Sequence, residues 1–402
     1  MSMMSFGTPA SRLALLAVIV ALATALTAIS CLDTRSASGP MDPGISDGEV
    51  RFGQSAVLRG PNQDLGRQMR LGIQAAFYEV NQAGGIHGRQ LQLKTMDDSY
   101  ETHSALHTNQ WLIEKVRVFA LIGAVGTPTS RVAVPLAHDA GVPFLAPLTG
   151  AEFLRDPALG NVINLRASYY QETEEMVARL TDDLGITRVA ALYQKGPCGQ
   201  DGLEGVRRAL ARRGLEPVGS WHYERRAKRA SPDIVAADPE AVIVIGDHEQ
   251  VAAMAKLARR DIDPVVMTFS FGGGQALAEK LGGDGAGVYV TQVVPFPADS
   301  SVPVVASYQA ALASIAPKGK PGFISLEGYL AGRLAIIGLD ACGRDLSRRC
   351  FIDALRAAET INLNGFQIEY GPDDNQGSDA VFLTVIGRDE EYRQVEKLAG
   401  SH

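Results

Sequence analysis

From residue 50 onward the apolar positions switch between a period of two and a period near 3.6. Val50–Leu58 reads as a strand. Asn62–Ala83 carries Leu65, Met69, Ile73, Phe77 and Val80 on one face at helical spacing, and Gly84-Gly85 stops it. Gln90–Met96 alternates as a strand, Thr102–Lys115 predicts a helix, and Val118–Ile122 a buried strand. Another helix opens near Pro128, and Val142–Leu145 is a strand. After Ala167 the rhythm resumes. Helices over Glu172–Leu184, Gly202–Arg213 and Glu249–Arg260 alternate with strands over Arg188–Tyr193, Pro217–His222, Ala241–Ile245 and Val265–Thr268. Such alternation predicts an α/β protein with parallel sheets covered on both faces, and the chain is long enough for two. Ligands of open parallel sheets sit beyond the carboxyl ends of the strands, so the cleft between two sheets is the expected site. The C-terminal part reads as helices over Ile324–Ala341 and Asp345–Ala358. Strands over Phe366–Ile368 and Ala380–Ile386 then flank a turn at Gly371–Gly377, and are expected to pair as a hairpin completing one sheet.

The N-terminus has another pattern. Arg12 precedes an apolar run of 18 residues, Leu13–Ser30, ending in Ala28-Ile29-Ser30-Cys31. A charged start, an apolar middle and a small residue before the break fit a secretory signal, here with a lipoprotein cleavage box. Residues 1–30 are therefore expected to be removed, leaving Cys31 to carry lipid outside the cytoplasm. A plain secreted chain and an uncleaved anchor are the alternatives. The run is near the lower limit for a membrane span, and its threonines and serine weaken that reading. Residues 31–47, rich in Ser, Gly, Pro and Asp, are expected to be a flexible tether.

Composition narrows the classes. Charged residues at 21% and apolar ones at 46% describe a globular chain. The net charge is −7, and −8 without residues 1–30, which argues against nucleic acid as a partner. The basic run Arg225–Arg229 reads as a solvated loop. In an oxidising compartment Cys342 and Cys350, flanking a polar stretch between two helices, are expected to form a disulfide, leaving Cys198 free. No CxxC pair is present, which argues against a zinc ribbon or a thioredoxin-type site. No GxSxG, HExxH or P-loop pattern is present, so no enzyme and no cofactor are expected. His103 and His107 lie one helical turn apart without an acid or cysteine at ligand spacing, and no metal is expected there.

Several segments, in order, carry a family resemblance: Gly60-Pro61 with the helix through Leu71–Ala76, the run Asn81–Arg89 (NQAGGIHGR), Asp97-Asp98, the VGTPTS loop, GVPFLAP, TGAEFLR, Gly199–Gly202 and Gly328-Tyr329. The chain resembles the type I periplasmic solute-binding proteins of ABC transporters, in the branch of the leucine/isoleucine/valine-binding protein. The resemblance implies two Rossmann-like lobes joined by a three-strand hinge, with crossovers near Leu165–Ser168, Gln292–Pro295 and Leu363–Phe366. Lobe 1 is then residues 48–165 and 294–363, and lobe 2 residues 166–293 and 364–398. It further implies a monomer that closes on a small-molecule ligand and meets a membrane permease.

Two loops follow first-lobe strands and open helices. In Val125–Ser130, Thr127 suits an N-cap and Pro128 the first helical position. The N–H groups of Thr129 and Ser130 are then free for an anionic or carbonyl oxygen. Thr149 and Gly150 repeat this logic after Val142–Leu145. The resemblance implies that Thr127, Thr149 and Gly150 contact ligand. It also implies an aromatic where Cys198 stands, an acid near Ser270 and an aromatic near Leu65. These departures leave an amino acid, an amide or a carboxylate open as ligand. Asp247, after Ala241–Ile245, is a candidate charge in the cleft or a helix N-cap. Gln194, Phe271 and Glu327 complete the candidates. A binding protein for an importer and a receptor reporting to a membrane sensor both fit, because closing serves both.

Overall fold

The computed structural model describes residues 41–223 and 229–399. The signal segment, Cys31 and Arg225–Lys228 lie outside the described residues. In chain order the elements are β1 (Glu49–Ala56), α1 (Gln63–Gln82), β2 (Gln90–Asp97), α2 (Thr102–Trp111), β3 (Ala120–Ile122), α3 (Thr127–Asp139), β4 (Phe144–Leu145) and β5 (Val162–Ile163). Next come α4 (Tyr169–Leu184), β6 (Val189–Tyr193), α5 (Pro197–Ala211), β7 (Gly219–His222), α6 (Pro232–Ala237), β8 (Ala241–Ile245), α7 (His248–Asp261), β9 (Val265–Thr268), α8 (Gln275–Leu281) and β10 (Tyr289–Gln292). The chain ends with α9 (Pro303–Ile315), α10 (Phe323–Cys342), α11 (Arg348–Ala357), β11 (Thr360–Asn362), β12 (Gln367–Gly371), β13 (Asp374–Gly377), β14 (Phe382–Ile386) and β15 (Tyr392–Val395).

The strands form two large sheets. The first, in the order β2-β1-β3-β4-β5, is parallel throughout. The second runs β15-β14-β10-β9-β8-β6-β7, parallel except at β14 and β15. Its inner strand β8 is the unbroken apolar run AVIVI, buried at every residue, as a strand covered on both faces requires. The chain leaves the first sheet after β5 and enters α4. Ser168 caps that helix in a capping box with Gln171, which fixes where the helix begins.

Two expectations fail at the C-terminal part and one at the tether. The strand near Phe366–Ile368 does not pair with the one ending at Ile386. Instead β12 pairs antiparallel with β11 and β13 in a small separate sheet, while β14 joins β10 and β15. Asp374–Gly377 has no apolar alternation, yet it is held as a strand because Asn375 is buried: its side chain donates to the Leu154 carbonyl, and its own carbonyl accepts from Asn164 N–H. The return into the second sheet therefore comes after Ser378, whose N–H donates to the Leu165 carbonyl, and not at Leu363–Phe366. Residues 42–47, expected in the flexible tether, are packed: Ile45 bridges Val50, Asp42 accepts from Arg348 N–H, and the Gly44 carbonyl accepts from Arg51 N–H. A disulfide joins Cys342 to Cys350, tying the end of α10 to the first turn of α11, and Cys198 is a buried free thiol.

Helix α1 packs closely against α10. A Cβ on Gly72 would stand 1.9 Å from the Ser325 carbonyl oxygen and 2.6 Å from Tyr329 N. Glycine inside a helix costs about 1 kcal/mol relative to alanine, so helix propensity alone favours Gly72→Ala. Packing dictates the opposite sign: the substitution drives two backbones apart and costs about 1–3 kcal/mol. Urea unfolding of Gly72→Ala measures this directly. A stabilised variant would mean that the two helices are not seated this closely.

Candidate ligand site between the two sheets

The β3–α3 and β4 loops are locked side by side. Leu148 N–H donates to the Ala124 carbonyl and Gly126 N–H to the Leu148 carbonyl, forming a parallel bridge between Val125 and Leu148. This pairing extends the sheet past its last regular strands and places Thr127 and Thr149 together. Their hydroxyl oxygens lie 2.7 Å apart, and both residues are fully buried. Thr149 Oγ1 is also 3.2 Å from Tyr169 Oη, at the start of α4. The Cys198 thiol, at the start of α5, points to the same Tyr169 hydroxyl at 3.7 Å. Tyr169 stacks on Phe269, with ring centroids 4.5 Å apart. Elements of both sheets thus meet in one buried cluster of hydroxyl, thiol and aromatic groups. Burial pushes the Cys198 thiol up to about 12 and both Tyr169 and Tyr100 well above the usual tyrosine range. All three stay neutral at physiological pH.

Several candidates take roles other than those expected. The N-cap of α3 is Gly126, at φ 98°, and Thr127 is the first helical residue, one position later than the cap expected. A Cβ on Gly126 would stand 2.3 Å from the Tyr100 ring, which adds a second reason for glycine there. Ser130 N–H is not free, because it donates to the Gly126 carbonyl at 3.1 Å. The Thr129 hydroxyl turns back onto the Val125 and Gly126 carbonyls. Gly150 lies against Tyr169, where a Cβ would come within 2.6 Å of the ring. Gln194 accepts from Asp247 N–H at 3.0 Å, so its side chain braces the α7 entrance. Asp247 caps α7 through Gln250 N–H and also receives Asn62 Nδ2 at 3.3 Å. Of the two roles open for it, the helix cap is the one seen. Leu65 is buried on α1.

Ser270 and Glu327 belong to an ionic group that no local sequence pattern marks. Arg166, 1% exposed, lies between Glu172 and Glu327, at 3.4 and 3.6 Å. Glu172 accepts from Ser270 N–H, the Ser270 hydroxyl and the Thr291 hydroxyl, and Arg166 also donates to Ser270 Oγ. Burial raises both glutamates while Arg166 opposes it. Burial, then the neighbouring Arg166, lowers Arg155 to about 10, and Arg155 donates to the Thr149, Ala151 and Arg166 carbonyls.

Tyr100 and Phe271 form the other unforeseen contact. Their rings face each other across the two sheets, with centroids 6.4 Å apart and planes at 29°. Tyr100 lies just beyond the carboxyl end of β2, where the strand-end rule points, but its turn chemistry hid it. Ser99 and Tyr100 are both left-handed, at φ 52° and 64°. The Asp97 and Asp98 carboxylates hold them there by accepting their N–H groups at 3.0 and 2.9 Å. A nearby pair also spans the sheets: His248 Nε2 lies 3.1 Å from the Pro61 carbonyl.

A buried polar cluster at the carboxyl ends of two parallel sheets, with the chain passing repeatedly between them, defines a bilobal solute-binding protein of the type I fold. The chain matches the periplasmic binding protein family over residues 49–391 and belongs to it, in the leucine/isoleucine/valine branch. A structure described as a possible leucine/isoleucine/valine-binding protein from Rhodopirellula baltica SH 1 is 32% identical with a TM-score of 0.80, covering 90% of this chain and 99% of that one. The Leu/Ile/Val-binding protein BraC3 of Rhizobium johnstonii is 24% identical over 81% of this chain and 89% of its own length. Leu/Ile/Val-binding protein homolog 3 of Brucella melitensis is 27% identical over 44% of this chain, and that alignment spans 47% of the relative. The family acts outside the cytoplasm, binds small molecules, works with ABC transporters and is not enzymatic.

Asp98 gives a pH test of the site's support. It is fully buried, and burial raises its carboxyl from 3.8 to about 6, with Asp97 adding to the rise and bonds from Tyr100 N–H and Ser55 opposing it. A raised carboxyl means that the folded state holds its proton more tightly than the unfolded chain. Stability from this group is therefore full below pH 3.8 and is lost as pH rises through about 6. The loss is at most about 3 kcal/mol. Asp98→Asn keeps an acceptor for Tyr100 N–H, so urea unfolding across this window is expected to show a flatter pH dependence than wild type. An unchanged pH profile would show that Asp98 ionises freely.

Proposed function

We propose that this chain is a lipid-anchored solute-binding protein, tethered through Cys31, that captures one small organic ligand between its lobes and delivers it to an ABC importer. The ligand class is an amino acid, an amide or a carboxylate. The lobes divide near the passages after β5, after β10 and after Ser378. The observation that carries this reading is the buried meeting of Thr127 and Thr149 with Tyr169 and Cys198, four polar groups from elements of both sheets. The Asn62–Asp247 and Tyr100–Phe271 contacts support it, because each forms between residues of opposite lobes and is lost when the lobes part. Relatives named for Leu, Ile and Val support the amino-acid arm of the class. The small-residue box Ala28-Ile29-Ser30 before Cys31, at the end of the apolar run, supports anchoring through lipid on that cysteine.

A ligand that binds only the closed, folded form raises the unfolding temperature in proportion to the logarithm of its concentration. Thermal shift against amino acids, amides and short carboxylates is expected to give at least one concentration-dependent hit. Thr127→Ala with Thr149→Ala is expected to remove most of that shift. An undiminished shift in the double variant would place the ligand elsewhere. Native mass spectrometry of the purified chain supplies an independent reading through a co-purified mass. A receptor role predicts co-isolation with a membrane sensor in place of a permease.

A further inference from the structure

His103 and His107 stand one turn apart on the exposed face of α2, outside the buried cluster. Their Nε2 atoms lie 3.1 Å apart. Two ring nitrogens this close cannot both turn bare lone pairs on each other. Something positive has to lie between them, either a shared proton or a metal ion. The ring planes are perpendicular, with centroids 4.5 Å apart. The rings therefore do not stack, and both in-plane lone pairs are free to converge on one point.

The separation fits a chelated ion. With metal–imidazole bonds of about 2.0–2.1 Å, nitrogens 3.1 Å apart subtend about 100° at a single ion. That lies between the angle of about 90° in square-planar sites and the angle of about 109° in tetrahedral ones. Among the described residues no group of three or more His, Cys, Asp or Glu is placed to hold a metal. Two imidazoles are then the protein's share, and water fills the other positions. The lack of a third side-chain donor argues against a metal on sequence grounds; in the structure it sets the kind of ion instead. Mg²⁺ and Ca²⁺ prefer oxygen ligands and gain little from imidazole. Cu²⁺, Ni²⁺ and Zn²⁺ all accept imidazole, and copper heads that series at a nitrogen site.

The helix itself gains from such a clip. Helix α2 opens at Glu101 without a side-chain cap, spans ten residues and passes directly into a π-helical turn at Leu112–Val116. A short helix with an uncapped start is marginal on local terms. An ion held by His103 and His107 joins its first turn to its second, as an i,i+4 pair does, with coordinate bonds in place of a salt bridge.

We propose that His103 and His107 chelate one divalent transition-metal ion through their Nε2 atoms, with Cu²⁺ preferred over Ni²⁺ and Zn²⁺. This surface site is separate from the cleft and does not depend on what the cleft takes.

The test uses the mature chain without a histidine tag and with Cys31→Ser, so that no added imidazole or terminal thiol competes. Metal is first stripped with EDTA, which is then removed. Calorimetric titration is expected to show one equivalent of Cu²⁺ bound, Ni²⁺ and Zn²⁺ bound at least tenfold more weakly, and Mg²⁺ not bound. Electron spin resonance of the copper form is expected to show coupling to two imidazole nitrogens. His103→Ala and His107→Ala are each expected to weaken Cu²⁺ at least tenfold and to leave coupling to one nitrogen. His87→Ala, which removes an imidazole that faces Asp340 elsewhere, is expected to change neither. Copper is also expected to raise the unfolding temperature of the parent chain and not of the two α2 variants. Undiminished binding in either α2 variant overturns the proposal and leaves an adventitious ion only. Absence of binding overturns it and leaves a proton shared between the rings. An order that puts Zn²⁺ or Mg²⁺ above Cu²⁺ overturns the preference, and an unmoved unfolding temperature overturns the clip on α2. Both side chains are exposed, so folding is expected to survive their loss. Should a variant fail to fold, the nitrogen count in the parent spectrum alone decides.

Discussion

Arg166 is a guanidinium buried to 1% exposure at the point where the chain leaves the first sheet for the second. A buried charge of this kind is tolerated only when paired. Its partners come from different places: Glu172 from the helix that begins the second sheet's half, and Glu327 from the long helix that returns to pack on α1. Ser270 and Thr291, at the ends of β9 and β10, complete the shell of Glu172. One cation therefore ties the first passage between sheets to the helix after the second passage and to two strand ends. Any hinge motion must leave this post in place, since separating it would strand a charge in the interior. The contacts named further out are single hydrogen bonds and one ring stack.

The same logic of strand ends builds the cluster around it. Two loops after parallel strands run side by side for one more bridge, and this short extension sets a pair of threonine hydroxyls 2.7 Å apart. Helix α4 then delivers Tyr169 to those hydroxyls, with Ser168 fixing the helix start one residue earlier. Neutral donors and acceptors in a buried setting discriminate by hydrogen bonding, where an unmatched group is penalised heavily. The Arg166 post pairs its charge with Glu172 and Glu327.

Much of this was legible from residues alone. The strand–loop–helix pattern located Thr127 and Thr149 because a buried strand followed by a hydroxyl, Pro or Gly and a helix is a local signal. Asp247 could be read as a cap for the same reason. The ionic post could not be read, because Arg166 and Glu327 are brought together by the return of α10, and no local pattern encodes that pairing. Tyr100 was hidden by its turn: neither Ser99 nor Tyr100 favours a left-handed conformation, and only the preceding carboxylates hold them there. The expected C-terminal hairpin failed because β13 has a polar sequence stabilised by buried asparagine contacts in place of apolar alternation. Residues 42–47 looked like linker by composition, yet a few backbone hydrogen bonds and Arg348 hold them against β1 and β3.

Arg166 and its glutamates act as one unit linking the two halves of the chain. A double-mutant cycle with Arg166→Met and Glu327→Gln, read by chemical denaturation, measures it most directly. Removing one partner of a buried pair costs about 3–5 kcal/mol, because the other charge is left unpaired. The account predicts that Glu327→Gln is strongly destabilising in the wild-type background and close to neutral once Arg166 is gone, a coupling of about 2 kcal/mol or more. Costs that simply add, to within about 0.5 kcal/mol, would contradict it and leave the two residues as independent neighbours.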